Sequence, residues 1–163
     1  MINIEEHKQL ALSRKKEFKK LALRLKKWPI RKLDDTVHLL HNQVFAKINC
    51  LECASCCRSL GPRITDMDIK RLSKALNLKP SVIFERFLRI DEDGDMVFKT
   101  MPCPFLDTDN YCKVYEHRPK ACRKYPHTNM VKFSRIIDLS LKNINTCPAV
   151  YQIFDELSKI EKQ

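Results

Sequence analysis

The residues with the clearest chemical potential are cysteines, of which the 163-residue chain has eight. Four of them fall close together, as Cys50, Cys53, Cys56 and Cys57. A thiolate is a soft ligand that selects zinc, copper(I) or iron–sulfur clusters. Cysteines at successive x2 spacings can converge on one centre because the short loops between them curl around it. This spacing predicts a metal site.

The other cysteines leave the kind of metal open. Cys50, Cys53 and Cys56 have the C-x2-C-x2-C spacing of bacterial ferredoxins, whose fourth ligand is a cysteine followed by proline, as Cys103 and Cys147 are here. Structural zinc sites more often use two separated C-x2-C pairs, and the chain lacks a second pair. The predicted metal is therefore zinc or iron, and the iron could form part of an iron–sulfur cluster. The candidate metal ligands are Cys50, Cys53, Cys56, Cys57, Cys103, Cys112, Cys122 and Cys147.

A disulfide framework is the alternative use of an even number of cysteines. A chain of this length buries a core without needing disulfides. Its first residues, with Asn3, Glu5 and Glu6, offer no continuous apolar stretch, so we expect neither a secretory signal nor a membrane span. We therefore expect a cytoplasmic protein with reduced thiols, where a dense cysteine pattern indicates metal binding or catalysis.

The elements that must position these thiols begin with a basic segment. Residues 1–32 hold eleven Lys and Arg against three Glu. Residues 5–27 contain no Gly or Pro and carry an apolar stripe at helical spacing, which predicts one helix that ends before Pro29. The stripe is Phe18, Leu21, Leu25 and Trp28. Its lysines either form a solvated face or attract a weak anionic partner, a nucleic acid or an anionic membrane surface.

A second helix is expected from a cap at Asp34 or Asp35 through Asn49, which delivers the chain to Cys50. We do not count its His38 and His41 as metal ligands, because histidines on an amphipathic helix are more often ordinary polar or boundary residues.

Short elements are predicted around the later cysteines. Thr65 and Asp68 resemble a capping box for a helix through Leu76, and Pro80 opens another helix through about Phe87. Asp93-Gly94 suits a turn between two short strands.

A second turn, at residues 107–110, would bring Cys103 and Cys112 near each other. Pro119 lies near the start of a short helix with Cys122, and Thr146 is the expected cap of a last helix over residues 148–162.

These elements predict a mainly α fold with a small β-hairpin. We expect a compact cysteine-cluster domain at residues 50–127, which chelates the metal. A basic helical segment, residues 1–49, precedes it. A C-terminal segment, residues 128–163, follows it and packs a helix on the core.

The ordered motifs of residues 50–127 resemble the YkgJ-type cysteine-cluster family. They are Cys50-x2-Cys53-x2-Cys56-Cys57, Asp68-Ile69, Cys103-Pro104-Phe105-Leu106, and Cys112-Lys-Val-Tyr115-Glu116-x-Arg118-Pro119-x-x-Cys122-Arg123-x-Tyr125-Pro126. The resemblance implies a zinc- or iron-chelating domain, and a related cysteine cluster is found in flagellin lysine methylases. Cys147 lies outside these motifs.

The predicted function is therefore a metal-binding protein that chelates zinc or iron through its cysteines. Arg118 and Arg123 would offset the negative charge of clustered thiolates. The alternative is an iron–sulfur redox enzyme or a methyl-transfer-associated protein. The chain has no Gly-rich nucleotide loop, no HExxH and no convincing Ser/His/Asp set, so a binding module is favoured over an enzyme and the protein partner is unknown.

Overall fold

The computed structural model describes residues 3–162, which form helices and one small sheet. In chain order the elements are α1 (Ile4–Ser13), α2 (Lys15–Leu25), α3 (Ile30–Phe45), α4 (Cys50–Cys53), α5 (Ser55–Ser59), α6 (Asp66–Leu76), α7 (Pro80–Phe87), β1 (Leu88–Ile90), β2 (Met96–Phe98), α8 (Lys120–Lys124), α9 (Ile137–Asn143) and α10 (Pro148–Glu161). Two short 3-10 helices span Tyr115–His117 and Phe133–Arg135. The predicted mainly α fold with a small hairpin is confirmed.

The chain forms two compact units, each with its own apolar core. Unit 1 contains residues 3–53 and 126–162, and unit 2 contains Ala54–Tyr125. The division into three segments at residues 49 and 127 stays a prediction.

In unit 1 the apolar stripe of α2 packs into the core, as its spacing predicted. Phe18, Leu21 and Leu25 are each fully buried, and Trp28 packs against the same core as a partly buried side chain. α3 and α10 contribute their own apolar sides to it. The buried face of α2 is therefore the one that its helical periodicity predicts.

The first predicted helix is in fact two helices that meet at Arg14. The backbone of Arg14 leaves the helical region at φ −97° and ψ 5°. Its guanidinium donates a 2.8 Å hydrogen bond to Glu17, contacts Asp155 of α10, and lies 4.5 Å from the Phe18 ring centroid. The prediction of one continuous helix was wrong, and the contact of Arg14 with Asp155, 141 positions away, is absent from the local pattern.

Two of the expected helix caps were also wrong. α3 begins at Ile30 after Pro29 and ends at Phe45, while the carboxylate of Asp34 accepts hydrogen bonds of 2.7 and 2.9 Å from the backbone N–H groups of Lys132 and Phe133. Asp34 thus caps the 3-10 helix Phe133–Arg135 and not its own helix. α10 is preceded by Cys147 at the cap position, one residue after the expected Thr146.

In unit 2 the predicted local elements are confirmed. Thr65 and Asp68 form the capping box of α6, which ends at Asn77 in the left-handed conformation. β1 and β2 pair antiparallel around Gly94, whose φ of 81° suits glycine. α6, α7 and the hairpin enclose the apolar core of this unit.

Candidate metal centre

The two units divide the eight predicted ligands into two sets, and none of the eight is joined in a disulfide in the structure that residues 3–162 form. Unit 2 contains the five-cysteine cluster, which consists of Cys56, Cys57, Cys103, Cys112 and Cys122. Unit 1 contains the three-cysteine set, which consists of Cys50, Cys53 and Cys147. The boundary between the units falls inside the C-x2-C-x2-CC motif, after Cys53.

A left-handed residue separates the two halves of the motif. Ala54 has φ 48° and ψ 16°, so that the chain turns between α4 and α5. α5 then presents Cys56 and Cys57 with their sulfur atoms 3.9 Å apart. Adjacent residues usually point apart, and the sequence alone did not reveal that these two thiols face one another.

The hairpin at residues 103–115 carries two further thiols. The backbone N–H of Cys103 donates a 2.8 Å hydrogen bond to the carbonyl oxygen of Cys57. An isolated antiparallel bridge joins Leu106 to Cys112, and the N–H of Asp107 donates to the carbonyl of Tyr111 at 2.8 Å. The predicted turn at residues 107–110 is confirmed, and it places Cys103 and Cys112 within electrostatic range of each other.

The fifth thiol, on Cys122, is positioned by a buried carboxylate. Asp68 is 1% exposed and accepts a 2.9 Å hydrogen bond from the backbone N–H of Lys120, the first residue of α8. Arg71, which is paired with Asp68, donates a 3.1 Å hydrogen bond to the carbonyl oxygen of Arg118. Two residues of α6 therefore hold the start of α8, which carries Cys122. Asp68 binds its first residue and Arg71 binds the residue two positions before it.

The thiols of this cluster have unequal acidity. A hydrogen bond from Cys56 lowers the pKa of Cys57 to about 7, against the effect of burial and with the help of the charges of Arg118 and Arg58. Burial, reinforced by the neighbouring thiols, raises the pKa of Cys103 to about 11 and that of Cys122 to about 12.

Burial also raises the pKa of Cys112. Because these groups oppose one another's ionisation, several thiolates can coexist here only beside a strong positive charge.

Arg118 supplies one such charge. Its guanidinium carbon lies 3.5 Å from the centroid of the Tyr115 ring, and its charge favours the thiolates of Cys57, Cys112 and Cys122. Its Nε is buried with no hydrogen-bond acceptor in the part of the chain that the structure describes. The side chain of Arg123, the other arginine singled out from the sequence, is exposed.

The three-cysteine set in unit 1 is also electrostatically connected. Cys50 and Cys53 begin and end the short helix α4, and Cys147 lies at the start of α10. Burial raises the pKa of Cys147 to about 11. The backbone N–H groups at the start of α10 act in the opposite direction, and the charges of Cys50 and Cys53 raise the pKa further.

The donor chemistry of the five-cysteine cluster fits zinc or iron. Within residues 3–162, no three His, Cys, Asp or Glu side chains are already arranged around one metal position. The five-cysteine cluster nonetheless offers soft sulfur donors from α5, the 103–115 hairpin and α8, next to a buried arginine N–H that lacks an acceptor. Thiolates accept hydrogen bonds from such donors in the outer shell of metal sites.

His38 and His41 make contacts of their own within unit 1. The Nε2 atom of His38 lies 3.1 Å from the carbonyl oxygen of Met130, and the Nδ1 atom of His41 lies 2.8 Å from the hydroxyl of the buried Thr128. Both histidines thus join α3 to residues 128–130.

Sequence reasoning missed the role of Asp68 and Arg71. Asp68 was singled out as a helix cap and as part of a motif, yet its contact with Lys120 spans 52 positions and leaves no local signal. In the sequence, this role of Asp68 was indicated only by the presence of Asp68-Ile69 among the family motifs.

A family comparison matches residues 49–148, well over half of the chain, to the CxxCxxCC model, described as "Putative zinc- or iron-chelating domain". The chain belongs to the CxxCxxCC family. The resemblance drawn from the cysteine motifs is thereby confirmed. The CxxCxxCC match extends through Cys147-Pro148, so it includes the cysteine that lay outside the motifs of residues 50–127.

One curated relative is an uncharacterized protein of Methanocaldococcus jannaschii, which is 26% identical over 91 residues. The match covers 54% of this CxxCxxCC chain and 49% of the relative, so the chain spans about half the length of that protein. No solved structure is significantly similar to the chain. Between residues 3 and 162, none of the helices has the length and apolar character needed to cross a membrane.

Proposed function

We propose that this protein chelates zinc or iron through the five-cysteine cluster of unit 2. The observation that carries the proposal is that three separate elements bring five thiols into one connected group beside Arg118. Cys56 lies 3.9 Å from Cys57, whose carbonyl accepts a hydrogen bond from the N–H of Cys103, and Cys57, Cys103, Cys112 and Cys122 lie within electrostatic range of one another. Cysteines that serve only as buried apolar side chains have no need to cluster. Sulfur is a soft donor that selects metals such as zinc and iron. Membership of a family described as zinc- or iron-chelating supports the same conclusion.

Metal binding would also stabilise the fold of unit 2. Its cysteines lie on short elements, α5, α8 and the 103–115 hairpin, that individually contain few internal backbone hydrogen bonds. A metal that bridges them contributes its binding energy to folding, as in other small metal domains. We therefore propose a metal-binding module and assign no catalytic residue.

The three-cysteine set is proposed as a second group of ligands. Cys50, Cys53 and Cys147 interact electrostatically within unit 1, although Cys147 lies almost one hundred residues from the other two in the sequence. Both sets together account for all eight cysteines. Elemental analysis of one cysteine variant from each set tests whether the two sets hold separate metal.

Five sulfur donors exceed the four that one tetrahedral zinc ion accepts. The 3.9 Å separation of the sulfur atoms of Cys56 and Cys57 therefore suits a centre with more than one metal atom, which keeps an iron–sulfur cluster as the alternative to zinc. Colour distinguishes the two directly. A brown protein with acid-labile sulfide contains an iron–sulfur cluster, whereas a colourless protein with bound zinc contains a structural site.

The test is elemental analysis of protein purified without oxygen and with its thiols reduced. We expect stoichiometric zinc or iron, and loss of metal when Cys57 or Cys122 is replaced by serine. Tyr111→Phe is the matched control, since Tyr111 is exposed and lies next to Cys112. It should retain the full metal content.

A second measurement separates loss of metal from loss of folding. The circular dichroism of each cysteine variant is compared with that of the wild-type protein after chelation. If the reduced wild-type protein contains neither zinc nor iron, and binds neither when they are supplied, the proposal is wrong.

A further inference from the structure

The exposed face of α2 in unit 1 carries an unneutralised basic surface. Within the described residues, five lysines on or just after this helix form no ion pair. They are Lys15, Lys16, Lys19, Lys20 and Lys27, and all five are exposed. Phe18, Leu21 and Leu25 occupy the opposite face and are buried, so the lysines point away from the core.

The acidic side chains that contact α2 or Arg14 pair with basic residues other than these five lysines. Glu17, the acidic residue of the helix, binds Arg14 and Lys162. Asp155 also pairs with Arg14, and Glu161 pairs with Arg24. The positive charge of the exposed face is therefore not cancelled within this unit.

An exposed leucine lies in the middle of this basic face. Leu23 is 62% exposed. It follows Lys19 by four positions and Lys20 by three, and precedes Lys27 by four, which places it on the same side of the helix as these lysines. From Lys16 to Lys27 the face extends over about 16 Å at the helical rise.

From this combination, we propose that the α2 face binds anionic phospholipid headgroups at a membrane surface. Clusters of lysines on one face of a helix are attracted to the negative surface potential of anionic lipids. A nucleic-acid backbone would satisfy the same charges but offers no apolar environment for Leu23. A lipid interface offers Leu23 an apolar environment, because acyl chains begin just below the headgroups.

The face also lacks the groups that nucleic-acid binding typically uses. Its unpaired cations are all lysines, since the exposed Arg24 pairs with Glu161, and the aromatic residue of α2, Phe18, is buried on the other side. Single-stranded nucleic acids are bound by exposed aromatic platforms on which bases stack. The described face of α2 has no exposed aromatic side chain, which favours lipid over nucleic acid as the anionic partner.

The test is co-sedimentation of the full chain with vesicles that contain about 30% phosphatidylserine in phosphatidylcholine, at about 0.1 M salt. The fluorescence of Trp28, the sole tryptophan, gives a second readout because it lies directly after Lys27. We expect binding to these vesicles, and about tenfold weaker binding or less to vesicles of pure phosphatidylcholine. Failure to bind the anionic vesicles overturns the proposal.

Matched variants test the role of the face itself. Lys16→Gln with Lys20→Gln should weaken binding at least about tenfold, whereas Lys70→Gln with Lys74→Gln, at the same spacing on the exposed side of α6, should leave binding nearly unchanged. Equal weakening by both pairs would mean that net charge alone is responsible, and would overturn the proposal.

Leu23→Gln distinguishes lipid from nucleic acid. We expect about fivefold weaker binding to the anionic vesicles, because the leucine no longer enters the interface. If the variant binds vesicles as well as the wild-type protein does, while the Lys16 and Lys20 pair instead reduces binding to an RNA duplex, the partner is a nucleic acid and the proposal is wrong.

Discussion

The carboxylate of Asp68 accepts a 2.9 Å hydrogen bond from the backbone N–H of Lys120. Asp68 also completes the capping box of α6 and pairs with Arg71, which holds the carbonyl oxygen of Arg118. One buried carboxylate thus connects a well-formed helix to the segment that presents Arg118 and Cys122. The geometry of the thiol cluster depends on a carboxylate that lies outside the cluster.

Asp68→Asn should lower the free energy of unfolding by about 2 kcal/mol, because the amide cannot replace the charged acceptor for all three partners. Denaturant unfolding of the metal-free, reduced protein measures the change. Asp66→Asn is the control, since Asp66 is exposed in the same helical turn and should cost little. Equal effects of the two substitutions would contradict the role assigned to Asp68.

Arg118→Gln should weaken metal binding about tenfold, since it removes a positive charge and the buried Nε–H donor close to the thiolates. Competition with a chelator of known affinity measures the change. Arg118→Lys should recover part of the loss because it retains the charge. Arg123→Gln, on an exposed side chain of α8, is the control that should bind metal normally.

Removal of metal should lower the thermal midpoint by about 10 °C, because a tightly bound ligand stabilises only the folded state. Hydrogen exchange locates the effect. We expect faster exchange at the amide of Cys103, which bonds to Cys57, and at those of Lys113 and Tyr115 within the hairpin, and unchanged exchange in the middle of α3. Uniform acceleration across both regions would argue against a metal centre in unit 2.

Stability should fall as the pH drops below about 6.5, the ordinary pKa of histidine. Burial lowers the pKa of His7 in spite of a backbone contact with Ile144, and burial and the charge of His38 lower that of His41. The unfolded chain therefore takes up protons before the folded protein does, and the stability present above this pH is progressively lost below it.

Unfolding curves between about pH 5 and 8 test this linkage. His7→Gln combined with His41→Gln should flatten the dependence of unfolding free energy on pH. His117→Gln, on an exposed side chain, should leave the slope unchanged. A steep slope that survives in the double variant would show that other groups cause the loss.

Local chemistry made several elements of this protein predictable. The capping box of Thr65 and Asp68, the Asp93-Gly94 turn and the proline at the start of α7 each act over a few residues, and the structure contains all three. The stripe of α2 is buried as its spacing required. The start of α3 was not predictable in the same way, because Asp34 finds its partners about one hundred positions away.

The sequence by itself determined the chemistry available to this protein: eight thiols, a motif spacing that favours zinc or iron, and the helices and hairpin that carry them. Only the tertiary structure decided which thiols lie near one another within each unit. It assigned five to one unit and three to the other, and it selected Arg118 over Arg123 as their neighbour. Propensities and caps act between residues close in sequence, whereas convergence of thiols depends on long-range packing that no local pattern records.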